Sequence, residues 1–264
     1  MTETLLARYD ALLLDLDGTV YRGREPVPGA ADAVAFARSQ GVGIRYVTNN
    51  ASRAPQPVVD HLVEIGFQAA LDEVSTSAQA AAAMLAERLP ADTAVLVLGT
   101  EALADEVRTV GLRPVREVTD EVAAVVQGLS HDMGWRELAE ACVAIRRGAL
   151  WVACNADVTL PTERGLLPGC GAFVAALKAA TDREPLIAGK PATPLLEQAA
   201  KSLGAERPLV VGDRLDTDIA GAVNAGMDSL LVLTGVSTEA EALALPADRR
   251  PTYIAADLSV LLGQ

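Results

Sequence analysis

The stretch Ala11-Leu12-Leu13-Leu14-Asp15-Leu16-Asp17-Gly18-Thr19-Val20 decides how this chain is read. A short apolar run ends in two carboxylates two residues apart, followed by Gly-Thr. Such a run, bounded by a turn signal, reads as a buried strand of a parallel sheet. Open α/β sheets place ligand sites outside the carboxyl ends of their strands. The two acids therefore stand where a sheet of this kind does its chemistry. Strand alternation points both to one side, and two close carboxylates call for a cation or a shared proton.

Outward from this stretch, apolar runs alternate with helical patterns, the signature of βαβ units around a parallel sheet. Strands are predicted at 12–14, 43–47, 94–98, 123–126, 150–154, 186–188, 209–211 and 229–233, and the short segments 253–255 and 258–262 close the chain. Helices are predicted at 30–40, 57–65, 77–88, 101–110, 135–147, 173–180 and 217–224, several of them stopped by glycine. A further helix opens at Gly189-Lys190-Pro191 and runs to Ser202. The fold class is α/β, with a Rossmann-like parallel sheet. The middle series, 77–184, reads as an inserted α/β domain, leaving 1–76 and 185–264 as the core.

The chain has 264 residues, half of them hydrophobic, enough for a sizeable core. Only 3% are aromatic, so Ala, Val and Leu must fill it. A net charge of −13 argues against a nucleic-acid or anionic-membrane partner. It also requires any anionic substrate to meet a locally positive site. Cys142, Cys154 and Cys170 follow no metal or redox spacing, and their odd number suggests reduced thiols. No signal-like start is evident, nor any run of ~18 apolar residues. A cytoplasmic protein without a membrane partner is expected.

Three other segments at strand or helix ends carry polar residues of complementary type: Thr48-Asn49-Asn50, then Lys190, then Asp213 with Asp216 and Asp218 beyond it. Asp15, Asp17 and Asp213 can supply the hard oxygen ligands that Mg²⁺ prefers. Thr48 and Asn49 offer neutral donors to phosphate oxygens, and Lys190 a compact positive charge. A carboxylate that attacks phosphorus divides one hard step into two, and a second carboxyl can protonate the leaving group and then activate water. Taken singly, each segment is ordinary: Asp-x-Asp and Thr-Asn-Asn suit turns, and Gly-Lys-Pro suits a helix start with proline at its first position. Their joint occurrence, in this order, is what points to a site.

Together the four segments resemble the four motifs of the haloacid dehalogenase (HAD) superfamily of phosphohydrolases. Asp15-Leu16-Asp17-Gly18-Thr19-Val20 resembles the first motif, Thr48-Asn49-Asn50 the second, Lys190 the third, and Gly212-Asp213-Arg214-Leu215-Asp216-Thr217-Asp218 the fourth. The forms are similar to those of the NagD-like, p-nitrophenylphosphatase-like branch, in which an α/β cap of C2 type lies between the second and third motifs. The resemblance implies Asp15 as nucleophile and metal ligand. It implies Asp17 as general acid/base, with its backbone carbonyl on the metal, and Asp213 as the remaining protein ligand of Mg²⁺. Thr48, Asn49 and Asn50 would hold the phosphoryl group, and Lys190 would neutralise Asp15 and the phosphate. Asp218 would orient a metal-bound water, Lys190 or Arg214. Asp216 reads as a helix N-cap. The branch also implies a homodimer paired through the cap.

The partner implied is a small phosphate ester. The runs Gly99-Thr100-Glu101-Ala102-Leu103 and Thr159-Leu160-Pro161-Thr162-Glu163-Arg164-Gly165 are most similar to those of glycerol-3-phosphate phosphatases within the branch, which carry a further C-terminal extension. Nucleotide or pyridoxal phosphate hydrolysis is the alternative within the branch, and a scarcity of aromatics leans against stacked bases. A phosphomutase or a non-catalytic phosphate-accepting module are alternatives of another class. Asp17 argues against the module, since a signal acceptor should lack a well-placed base. No Gly-x-Gly-x-x-Gly follows the first strand, and Gly189-Lys190 lacks the upstream glycine of a P-loop. The long loop at 155–169, with His131, Met133 and Arg53, is a candidate for substrate contact. His61 reads as a surface residue.

Overall fold

Ala11–Leu14 is a strand buried along its whole length. It pairs in parallel with Pro208–Gly212 on one side and Gly43–Thr48 on the other. Both faces of such a strand are covered, which is why it reads as a continuous apolar run rather than an alternation. Register aligns Leu14 with Val211 and with Tyr46. Asp15 and Asp213, just past their strands, and Thr48, at the end of its own, therefore stand at one edge of one sheet.

That sheet has six strands in the order Tyr253–Ala255, Asp228–Val232, Pro208–Gly212, Ala11–Leu14, Gly43–Thr48 and Val74–Thr76. The helix Pro194–Leu203 packs on Ala11–Leu14 and Gly43–Thr48, and the helix Ala30–Ser39 packs on Gly43–Thr48. Leu12, Leu14, Ile44, Tyr46, Leu209 and Val211 lie in one core with Ala30, Ala33, Val34 and Ala37 of the latter helix. The computed structural model describes residues 4–162 and 164–263. The chain divides into two compact units, one of Met1–Thr48, Pro55–Ser75 and Lys190–Gln264, the other of Asn49–Ala54 and Thr76–Gly189.

The second unit holds a five-stranded parallel sheet in the order Leu186–Ile187, Leu150–Ala153, Val122–Gln127, Ala94–Leu98, Arg113–Val115. Its helix Ser77–Ala86 starts with a capping box. Thr76 Oγ1 accepts from Gln79 N–H, and the Gln79 side chain accepts from Thr76 N–H. Trp151 is buried here, and its indole N–H donates to Gln127 Oε1. No helix among the described residues is long and apolar enough to cross a membrane.

Several local expectations change. Much of the segment read as a long loop at 155–169 is an antiparallel hairpin, Thr159–Thr162 against Gly165–Pro168, with Glu163 outside the described residues. Alternation is masked there by two prolines and short strands. The helix expected from Pro191 starts at Pro194, with proline in its first turn. The helix expected at 217–224 is a π-helical turn, Leu215–Ile219, running into the α-helix Ala220–Ala225. A two-stranded hairpin, Tyr21–Arg22 with Glu25–Pro26, follows the first motif and is too short to leave a periodic signal.

Candidate active site

The strand edge of the first unit gathers three carboxylates and one amine. Lys190 is 2% exposed, yet its Nζ donates to Asp15 Oδ1 and to Asp218 Oδ1, each at 2.6 Å, and to the Val47 carbonyl at 3.3 Å. A buried ammonium is tolerable only when paired in this way. Burial by itself pulls Lys190 down, but the two carboxylates more than reverse that and hold it charged above its ordinary value.

Asp218 is fixed from its other side. Its Oδ2 accepts from the backbone N–H of Arg214, the N-cap of the π-helical turn, at 3.1 Å. Gly212 is required below it, because a Cβ there would run into the Asp218 carboxyl group. Of the orienting roles open to Asp218, the structure therefore assigns Lys190 and the Arg214 backbone. Asp216 is not a helix N-cap: it lies inside the π-helical turn and pairs with the Arg214 guanidinium.

Asp213 is fully buried. Its Oδ2 accepts from Val236 N–H at 2.7 Å, while its Oδ1 has no hydrogen-bond partner. Gly18, in a left-handed conformation, brings the backbone so close that a Cβ would lie 2.6 Å from the Asp213 carboxyl carbon. One ligand oxygen from each of Asp15, Asp213 and Asp218 can be chosen so that all three lie within 4.8 Å of one another. Burial, with the Asp218 charge, pushes Asp15 up to about 8 against the pull of Lys190. Burial pushes Asp213 up to about 6. Two of the three carboxylates share one lysine, and the third, Asp213, has an orphaned buried oxygen. Such an oxygen-rich set fits a hard divalent cation.

Asp17 is exposed and bridges to Tyr21 through the backbone. Its carboxylate is not in the gathered set of Asp15, Asp213 and Asp218. Thr48 ends its strand half-buried. Asn49 and Asn50 belong to the second unit. Asn50 Oδ1 accepts from Ser52 N–H and Oγ, forming a turn. Asn49 is held by Asp157, Asn155 and Ser77.

Other candidates scatter. Arg53 and His131 are exposed, and Met133 packs against the core of the second unit. His61 is not a plain surface residue: its ring sits edge-on to Tyr21, and its Nε2 hydrogen-bonds the Gly23 carbonyl at 3.1 Å. All three cysteines are unbridged; Cys154 and Cys170 are buried, which raises both thiols, Cys170 to about 12. Asp157 carried no individual signal, since its partner is 108 residues away.

A fold of this kind with an Asp–Lys–Asp cluster at the carboxyl edge defines a class of hydrolases, and comparison with known proteins agrees. The profile of haloacid dehalogenase-like hydrolases matches residues 12–113, and a HAD-hydrolase-like profile matches 187–261. The D-glycerol 3-phosphate phosphatase of Mycobacterium tuberculosis is 54% identical over 259 residues, covering 98% of this chain and 72% of the relative. The 5′-nucleotidase YutF of Bacillus subtilis is 39% identical over 231 residues, covering 87% and 89%. The crystal structure of the M. tuberculosis glycerol phosphate phosphatase in complex with magnesium superposes with a TM-score of 0.93 at 53% identity, covering 99% of this chain and 78% of that one. The chain belongs to the haloacid dehalogenase-like hydrolases.

Proposed function

We propose that this chain is a Mg²⁺-dependent phosphomonoester hydrolase that acts on glycerol 3-phosphate through an aspartyl-phosphate on Asp15. The observation that carries the chemistry is the Lys190 bridge between Asp15 and Asp218, beside the orphaned carboxylate oxygen of Asp213. The substrate rests on the 54% identity to a D-glycerol 3-phosphate phosphatase over nearly the whole chain.

In this reading an Asp15 oxygen attacks phosphorus and the bond from phosphorus to the ester oxygen breaks. The departing alkoxide takes its proton from the Asp17 carboxyl. The Asp17 carboxylate then takes a proton from water as that water attacks the phosphorus of aspartyl-phosphate, which frees inorganic phosphate and restores Asp15. Lys190 pulls Asp15 toward its ionised form and offsets charge on the phosphoryl oxygens. Thr48, Asn49 and Asn50 supply donors to the same oxygens. Mg²⁺, held by the carboxylates of Asp15 and Asp213 and the Asp17 backbone carbonyl, supplies charge neutralisation when bound. Phosphoryl transfer needs mainly positioning and such neutralisation.

We assign catalysis to the core of residues 1–76 and 185–264 and the role of the cap to residues 77–184. The dimer paired through the cap belongs to the same reading, supported by Trp135, Val158 and Leu166, exposed on the second unit. The cytoplasm is the compartment we assign, supported by the three unbridged thiols. A nucleoside monophosphate is the second substrate reading, favoured by the identity to YutF.

The test is phosphate release from glycerol 3-phosphate, nucleoside monophosphates, pyridoxal phosphate and p-nitrophenyl phosphate, with Mg²⁺ and with EDTA. Release that needs the metal, is fastest with glycerol 3-phosphate and is abolished in Asp15→Asn is expected. Faster turnover of a nucleotide replaces the substrate, and no turnover of any ester by folded, Mg²⁺-loaded protein overturns the reading.

A further inference from the structure

Asn49 is restrained on two sides within the second unit. Its carbonyl oxygen accepts from Asn155 Nδ2 at 2.7 Å and from Ser77 Oγ at 2.6 Å, which uses both lone pairs. Its carboxamide nitrogen lies 3.2 Å from Asp157 Oδ2 and 3.4 Å from Oδ1. An ionised carboxylate only accepts, so Asp157 dictates which end of the Asn49 amide faces it. The other end, Oδ1, is then pressed toward Gly189, where a Cβ would lie 2.6 Å from it.

Asp157 is itself held rigidly. Its backbone N–H donates to Asn155 Oδ1 at 3.1 Å, closing an Asx turn, and its carbonyl accepts from Gly171 N–H at 2.8 Å. Gly169 and Gly171 let the start of the helix Cys170–Thr181 approach this turn, since a Cβ at Gly169 would fall 3.0 Å from the Thr159 backbone, and one at Gly171 2.6 Å from the Ala156 carbonyl carbon. One polar side chain therefore fixes the turn, and the turn fixes the backbone from which the Asp157 carboxylate reaches Asn49. A second-motif residue is thus oriented by a residue far along the chain, at the entry to the hairpin Thr159–Thr162.

We infer that Asp157 is a positioning residue for phosphoryl binding: with Asn155 it presets the donors of Asn49 before substrate arrives. This rests on the reading that Asn49 holds the phosphoryl group. Preorganised donors act on a phosphoryl group without reorganisation at the moment of reaction.

The test is a double-mutant cycle on the full chain, with kcat and KM measured for glycerol 3-phosphate and p-nitrophenyl phosphate. Asp157→Ala is expected to lower kcat/KM about ten- to a hundredfold. Asp157→Asn, whose amide oxygen still accepts from Asn49, is expected to stay within about threefold of the parent. In an Asn49→Ala background, Asp157→Ala is expected to cost less than about twofold more. Calorimetry with inorganic phosphate supplies a readout besides turnover: phosphate should bind Asp157→Ala about tenfold more weakly, and Asp157→Asn as it binds the parent. Asp157→Ala with parental kcat/KM and phosphate affinity overturns the inference, as do losses that multiply with those of Asn49→Ala. A parent chain that hydrolyses no ester is the distinct failure of the phosphatase reading, and the inference falls with it.

Discussion

Lys190 reaches Asp15 across 175 residues of sequence, its Nζ donating to Asp15 Oδ1 at 2.6 Å from a fully enclosed position. The same Nζ is shared with Asp218 at the same distance. One cation thus organises two carboxylates that would otherwise repel each other, one of them the proposed nucleophile.

Lys190→Met should leave Asp15 and Asp218 buried without their partner. Breaking a buried pair from one side costs about 3–5 kcal/mol, so a fall in Tm is expected with turnover lowered by about a thousandfold or more. Lys190→Met/Asp218→Asn should regain part of the lost Tm, because one uncompensated charge is gone, while turnover stays low. Thermal denaturation of the two variants side by side checks this.

The carboxylates make metal-free stability depend on pH in a definite direction. Burial raises Asp213 from 3.8 to about 6, and Asp15 from 3.8 to about 8. Between those values the native chain binds more protons than the unfolded chain, so stability is fully present below pH ~4 and falls as pH climbs toward ~8. Lys190 stays charged throughout this window, its pKa lying above its ordinary value. Tm in EDTA should therefore drop from pH 5 to pH 8, where Mg²⁺ should restore more of it than at pH 5. A flat EDTA profile would contradict the arrangement.

Asp213→Asn removes the charge behind the orphaned oxygen. A ligand that binds only the native state stabilises it by about 2.7 kcal/mol at a hundred times its Kd. The parent should show a Mg²⁺-dependent rise in Tm, and Asp213→Asn little or none. Without metal the variant should be as stable as the parent or more so near neutral pH, because the buried charge is gone.

His61 clasps the hairpin that follows the first motif, through the Gly23 carbonyl and the Tyr21 ring. His61→Ala should cost about 1–2 kcal/mol. Hydrogen exchange should quicken at Tyr21–Pro26 while the amides of Ala11–Leu14 keep their protection. Unchanged exchange in the hairpin would show that the clasp does not hold it.

What was legible in the sequence followed local physics. Asp15 and Asp213 could be found because apolar runs mark buried parallel strands and ligand sites gather at their ends. Lys190 could be found from its place before a helix and its order relative to the others. The hairpin at Tyr21–Pro26 could not, because two-residue strands carry no period. The hairpin at Thr159–Thr162 was hidden by proline and turn residues that read as loop. The π-helical turn escaped because its spacing differs from α-helix by one residue; Asp218, inside it, bonds both Lys190 and the Arg214 backbone.

The sequence by itself determined the class: strand-length runs of Leu and Val mark buried strands, and the carboxylates, amides and lysine that end them have few other uses together. Only the tertiary structure decided the partnerships. Asp218 with Lys190, Asp157 with Asn49 and His61 with Gly23 join residues 28, 108 and 38 positions apart. A side chain's period reports which face it occupies, but not which distant residue the fold will bring against that face.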